Sequence, residues 1–329
     1  MRSAARIALA AAVVILLLAG GAGMLLGGGV LHPAVRRLTP HLIAEADRML
    51  ERVGATREEF DVRAPDGILL RGWKVRPAPR LAPAPSRQFP PPGEDGTLPN
   101  GDWVLLFHGV SDNRVGMLGH AELLLRAGYG VVMMDARAHG ASEGPMATYG
   151  WKEREDTRAI TDALYAAEKP HCLFALGESM GAAIALQSAA VEPRINSVVA
   201  ESSFSDLREA SYDYAGLHIS SWLGKTLFRP GAVLVISAGQ KEAGFKAEDV
   251  SPVKAVAARA FPILLICGTR DHTLPPRHSK RILQAARGPK QLWLVAGAGH
   301  AAALGTAPAE FERRVLAFYR AAHAAKQDL

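Results

Sequence analysis

The pentapeptide Gly177-Glu178-Ser179-Met180-Gly181 constrains this chain more than any other feature, because of what lies on either side of it. Before it, Cys172-Leu173-Phe174-Ala175-Leu176 reads as a buried strand; after it, Ala182-Ala183-Ile184-Ala185-Leu186 reads as a helix. A serine at such a strand-to-helix turn holds its hydroxyl up at the sheet edge, the arrangement of a nucleophile elbow. Glycines two residues to either side remove the Cβ atoms that so tight a turn would bring into collision. The helix that follows aims its first N–H groups at the place where an oxyanion would form.

A serine hydroxyl is a poor nucleophile until a base takes its proton and a third group orients that base. Both partners are expected C-terminal to Ser179, acid before histidine. Phe261-Pro262-Ile263-Leu264-Leu265-Ile266-Cys267 reads as a buried strand and runs into Gly268-Thr269-Arg270-Asp271, which puts Asp271 just past its carboxyl end. Gln291-Leu292-Trp293-Leu294-Val295 reads as another strand, and the loop Ala296-Gly297-Ala298-Gly299-His300 follows it. Small neighbours leave room for the His300 imidazole to reach inward. Glu201 and Asp206 are alternative acids. An oxyanion needs two donors, and the backbone N–H of Met180 is the first candidate. The second is the N–H of Val110, because Trp103-Val104-Leu105-Leu106-Phe107 leads into the turn His108-Gly109-Val110-Ser111. Ser111, Asp112 and Asn113 are placed to brace that turn by local side-chain to backbone bonds.

With these residues in order, the chain resembles the α/β-hydrolases, in the serine esterase and serine aminopeptidase-like (monoacylglycerol lipase-like) branch. The resemblance also rests on Asp135-Ala136-Arg137-Ala138-His139-Gly140-Ala141-Ser142, on Gly268 to Pro276, and on Gly297 to His300. It implies an α/β fold: a mostly parallel eight-stranded sheet with helices on both faces and a cap insertion after the sixth strand. It implies Ser179, His300 and Asp271 as catalytic triad, and Val110 and Met180 as oxyanion-hole donors. No cofactor and no metal is expected. The substrate class it implies is a small hydrophobic ester cleaved through an acyl-enzyme. A peptidase or thioesterase using the same triad, and a non-catalytic membrane-tethered interaction module, are the alternatives, since one fold hosts many chemistries.

The remaining features bound the organisation. Residues 1–32 read as a membrane anchor or signal segment: Arg2 and Arg6 precede an uncharged apolar stretch from Ile7 to Leu31, and a bilayer takes about 20 residues to span. Basic residues ahead of the span favour a single-pass protein with its catalytic domain outside the cytoplasm, or a secreted one if the segment is cleaved. Residues 33–57 read as a stalk helix with a partial stripe of Leu42, Ile43, Ala46, Met49 and Leu50. Residues 58–329 are then the hydrolase domain, with a hairpin turning at Asp66-Gly67, a Pro-rich loop over 76–101 and a cap over 204–250. Tyr212, Tyr214, Trp222, Leu223 and Phe228 suit that cap to an apolar acyl group. The formal charge of +6 is scattered without a basic run, so nucleic acid is not an expected partner. Cys172 and Cys267 fall in different core strands and read as free thiols. His108 reads as loop-shaping, His139 as part of the scaffold stretch after Met134, and His272 as a solvated loop residue beside Asp271; His120, His171, His218, His278 and His323 show no metal-ligand spacing.

Overall fold

The computed structural model describes residues 31–77, 101–216 and 229–327. The apolar stretch from Ile7 lies outside them except for Leu31. So do most of the Pro-rich loop and three of the apolar cap residues, Trp222, Leu223 and Phe228. Among the described residues no helix is long and apolar enough to cross a membrane.

Among the described residues the strands are, in chain order, β1 (Thr56–Glu59), β2 (Val62–Arg63), β3 (Leu69–Leu70), β4 (Gly72–Arg76), β5 (Trp103–Phe107), β6 (Gly130–Met134), β7 (Leu173–Glu178), β8 (Ile195–Glu201), β9 (Ile263–Gly268) and β10 (Lys290–Val295). Eight of them form one sheet in the order β1-β4-β6-β5-β7-β8-β9-β10, antiparallel only where β4 meets β1 and β6. β2 and β3 pair as the expected small hairpin, turning through Gly67 at φ +88°.

Period-two alternation sorts each strand onto two cores. Val104, Leu106, Val131, Met133, Phe174 and Leu176 pack on one face; Leu105, Val132, Leu173, Ala175 and Leu265 pack on the other. Helices α1 (Pro40–Val53), α2 (Leu118–Arg126) and α10 (Pro308–Gln327) cover the first face. Helices α3 (Glu153–Glu168), α4 (Met180–Val191), α7 (Pro252–Ala258) and α8 (Arg277–Ala285) contribute to the second. A short α9 (Ala303–Thr306) precedes α10. Both cysteines are free and buried.

Between β8 and β9 the described residues hold α5 (Leu207–Gly216) and α6 (Arg229–Ala243). A separate apolar cluster seats this 204–250 segment: Phe204, Leu207, Ala210, Phe245 and Val250 pack against Ala183 of α4 and Leu274. Phe245 also stacks on Trp151, with centroids 5.9 Å apart.

The helix expected as a stalk is instead part of the domain. Thr39 caps α1 by accepting from the Leu42 N–H, Pro40 opens it, and Gly54 closes it at φ +68°. Its stripe of Leu42, Ala46, Met49 and Leu50 is buried against α2 and the sheet, in one core with Trp73 and Leu124. A spacer would leave that stripe wet; here it is an interface. Upstream, the chain is strapped down: the Ala147 N–H donates to Leu31 O at 2.8 Å, and the Arg36 N–H to Ser111 O at 2.9 Å. Leu50→Ala should therefore cost about 2–5 kcal/mol in urea unfolding, the usual price of emptying a core leucine site, whereas a stalk would lose almost nothing.

Candidate active site

Ser179 stands between β7 and α4 with φ +51° and ψ −114°, a conformation an L residue holds only under constraint. The constraint is backbone packing. A Cβ on Gly181 would lie 2.1 Å from Phe107 O, and one on Gly177 would lie 2.4 Å from Gly181 C. The two glycines thus let β5, β7 and α4 converge behind the serine. The Ser179 N–H donates to Glu201 O at 2.9 Å, pinning the turn to the neighbouring strand.

The structure brings Asp271 and His300 to this serine. His300 Nε2 is 2.8 Å from Ser179 Oγ, and His300 Nδ1 is 2.9 Å from Asp271 Oδ2. The other carboxylate oxygen of Asp271 accepts from the Thr273 and Leu274 N–H groups at 3.0 and 2.8 Å, which fixes its plane. The carboxylate is buried, whereas a quarter of the His300 side chain is exposed. The loops carrying the two residues are tied together: the Arg270 N–H donates to Ala298 O at 2.9 Å, and Gly268 allows the approach, since a Cβ there would meet Ala298 O at 2.3 Å. This order of contacts lets the serine proton move to Nε2 while the buried carboxylate holds the Nδ1–H tautomer.

Met180 opens α4, so its N–H has no intrahelical acceptor. The turn with Val110 passes close to the elbow: a Cβ on Gly109 would sit 3.7 Å from Ser179 Cβ. That turn is braced from below. His139 Nε2 accepts from the Ser111 N–H at 3.4 Å, and His108 Nε2 accepts from the Ala136 N–H at 3.0 Å. Burial and then neighbouring His139 push His108 down, keeping it a neutral acceptor. Asp135 receives the N–H groups of Arg114 and Ala141, both at 2.7 Å. Asn113 caps the following turn through the Val115 N–H.

The alternative acids go elsewhere. Asp206 caps the start of α5 through the Arg208 N–H at 3.0 Å, and Glu201 accepts from the Ala303 N–H at 2.7 Å. His272 is exposed. The sequence reading missed a second serine–histidine–aspartate line. His278 Nδ1 is 2.8 Å from Ser205 Oγ, and His278 Nε2 is 2.8 Å from Asp213 Oδ2. All three are buried, and the Ser205 N–H also points at His278 Nδ1. Ser205 stands at no elbow. The line fastens α5 to α8, holding the 204–250 segment on the core.

Comparisons with known proteins come to the same fold. The family described as serine aminopeptidase, S33, matches residues 100–251. The uncharacterized protein YqkD of Bacillus subtilis is 28% identical over 203 residues, 60% of this chain; the match spans 64% of that protein, just under two thirds of its length. YfhR of Escherichia coli K12 is 26% identical over 247 residues, covering 74% of this chain and 73% of its own. Among solved structures, an esterase of Pyrococcus furiosus superposes with a TM-score of 0.65 at 22% identity, over 87% of this chain and 96% of that one. An acylaminoacyl peptidase of Pyrococcus horikoshii gives 0.55 at 15%, over 79% and 40%. The chain has the α/β-hydrolase fold, with a mostly parallel eight-stranded sheet and helices on both faces.

Two acids beside the elbow are perturbed. Burial first, then the nearby Glu201 charge, pushes Glu178 up to about 8; burial pushes Glu201 up to about 7. Each binds a proton in the folded chain over a range where the unfolded chain has released it. Their stabilisation is thus complete below the ordinary carboxylate value of 4.5 and is lost as pH rises through their folded values. In EDTA-treated protein the urea midpoint should fall from about pH 5 to about pH 8, and Glu201→Gln should flatten that slope.

Proposed function

We propose that this protein is a serine hydrolase, cleaving small-molecule carboxylic esters with an apolar acyl group. The continuous line from Asp271 through His300 to Ser179, at 2.9 and 2.8 Å, carries this reading. Ser179 Oγ attacks the ester carbonyl as His300 Nε2 takes its proton. The tetrahedral oxyanion rests on the Met180 and Val110 N–H groups, each such donor being worth roughly 2.7–4 kcal/mol in other hydrolases. His300 returns the proton to the leaving alcohol, which departs and leaves Ser179 acylated. Water, activated by the same imidazole, releases the acid and restores the serine. Tyr214, Val233 and Leu234, exposed on α5 and α6, support an apolar acyl group. The 204–250 segment acts in this proposal as a cap.

A second reading, amide or peptide cleavage with the same residues, draws support from the matched family's description and from the peptidase among the structural neighbours. We further propose membrane attachment through the apolar stretch that starts at Ile7 and ends before Leu31, which is buried in the domain, with the domain on the extracytoplasmic side.

A fluorophosphonate probe should label the protein at Ser179. A ladder of p-nitrophenyl esters from acetate to palmitate, run beside aminoacyl p-nitroanilides, should show turnover of esters ahead of anilides. Ser179→Ala should abolish labelling and lower kcat about a millionfold, and Asp271→Asn should lower it about 10⁴-fold. Folded protein that neither labels nor turns over any of these would favour the interaction module.

A further inference from the structure

We propose that His120, Glu178 and Glu201 form a binding site for a divalent cation of the zinc type, lodged behind the nucleophile elbow. The sheet itself brings the acids together. Glu178 ends β7, Glu201 ends β8, and the two are partners in the parallel register. His120, on α2, approaches them from the covering helix layer. Its Nε2 lies 3.4 Å from Glu178 Oε1 and 4.0 Å from Glu201 Oε2. One donor atom from each of the three lies within 4.8 Å of the others.

The second observation is that these atoms face one another without hydrogen bonds. Both ring nitrogens of His120 and Glu201 Oε2 are buried and unpartnered. His120 is 3% exposed and Glu201 is 1% exposed, so bulk water does not satisfy them. Leaving such atoms unpaired in the interior is unfavourable. A cation bound to all three satisfies one atom of each residue at once. The spacing suits it: at metal–ligand lengths of about 2.0–2.2 Å, donors on a tetrahedral zinc stand about 3.4 Å apart. Imidazole with two carboxylates is also a donor set that zinc accepts, leaving a fourth position for water.

The surroundings agree. The Glu201 charge works against a charge on Glu178, and a dication would supply the counter-charge to both. Glu201 Oε1 is held by the Ala303 N–H at 2.7 Å, which orients the carboxylate. Phe311 closes the far wall, edge-on to His120 at 5.3 Å. Glu178, with 19% of its side chain exposed, provides the way in. Bound there, the ion would tie α2 to the ends of β7 and β8, next to the turn that holds Ser179.

The test does not depend on hydrolase activity. Untagged full-length protein is stripped with EDTA and titrated with cobalt(II), following visible d–d absorption, with metal content measured after gel filtration. The expected result is one cobalt per chain in a low-symmetry, four- or five-coordinate spectrum, displaced by zinc. Glu201→Gln and, as a milder change at the partly exposed position, Glu178→Gln should each weaken binding by more than the roughly 100-fold that losing an outer-shell partner costs. Circular dichroism verifies that each variant is folded. His171, Cys172 and His323 form the other cluster of such side chains among the described residues, so His323→Ala should leave the signal intact. Loss of the signal in His323→Ala with retention in Glu201→Gln would assign the metal to that other cluster and overturn the proposal. Absence of stoichiometric binding by folded wild type would overturn it too, and would mean that the two acids share protons instead.

Discussion

The structure depends on one close approach. The helix that leaves Ser179 crosses the end of β5 at a distance where the Phe107 carbonyl would touch any side chain at position 181. Backbone against backbone, with nothing between, is what forces the serine into its positive-φ conformation and lifts its hydroxyl clear of the sheet. The same contact brings the turn after β5 alongside the nucleophile, so donors and nucleophile come from one packing event. The turn therefore needs bracing, which the stretch after β6 supplies through Asp135, the Ala136 N–H on His108, and His139.

The sheet order does the rest. β7, β8, β9 and β10 lie side by side and run parallel, so the residues just past their carboxyl ends share one edge. Acid and base arrive from β9 and β10 on loops bonded to each other. That edge also concentrates charge. Glu178 and Glu201 are there because their strands end there, and the geometry that favours a reactive serine puts two carboxylates under it. Burial of the two carboxylates, with the Glu201 charge added at Glu178, is the physical origin of their raised proton affinity.

Features written in short stretches of sequence were legible. The elbow, Asp271 after its strand and His300 in its small-residue loop each carry local signals, and strand alternation shows which side chains enter which core. Features made by distant segments were not. The stripe on α1 was visible, but the surface it covers is assembled from α2 and the sheet, so a packed helix read as a stalk. His120 meets its acids across 58 and 81 positions of chain, and His278 meets Asp213 across 65; no spacing rule reaches that far. The pairing of Glu178 with Glu201 could have been found by laying the two strands side by side in parallel register.

The strap before α1 carries a directional consequence. Leu31 and Arg36 bond to Ala147 and to Ser111, the residue after Val110, and His32 meets Glu242 of α6 at 2.7 Å. The chain thus joins the domain on the rim around Ser179, not at the opposite end where the parallel strands begin. A load passed up the chain from residues 1–30 would arrive first at the Ser111 turn and at α6, so it would act on the contacts that place that turn beside the serine.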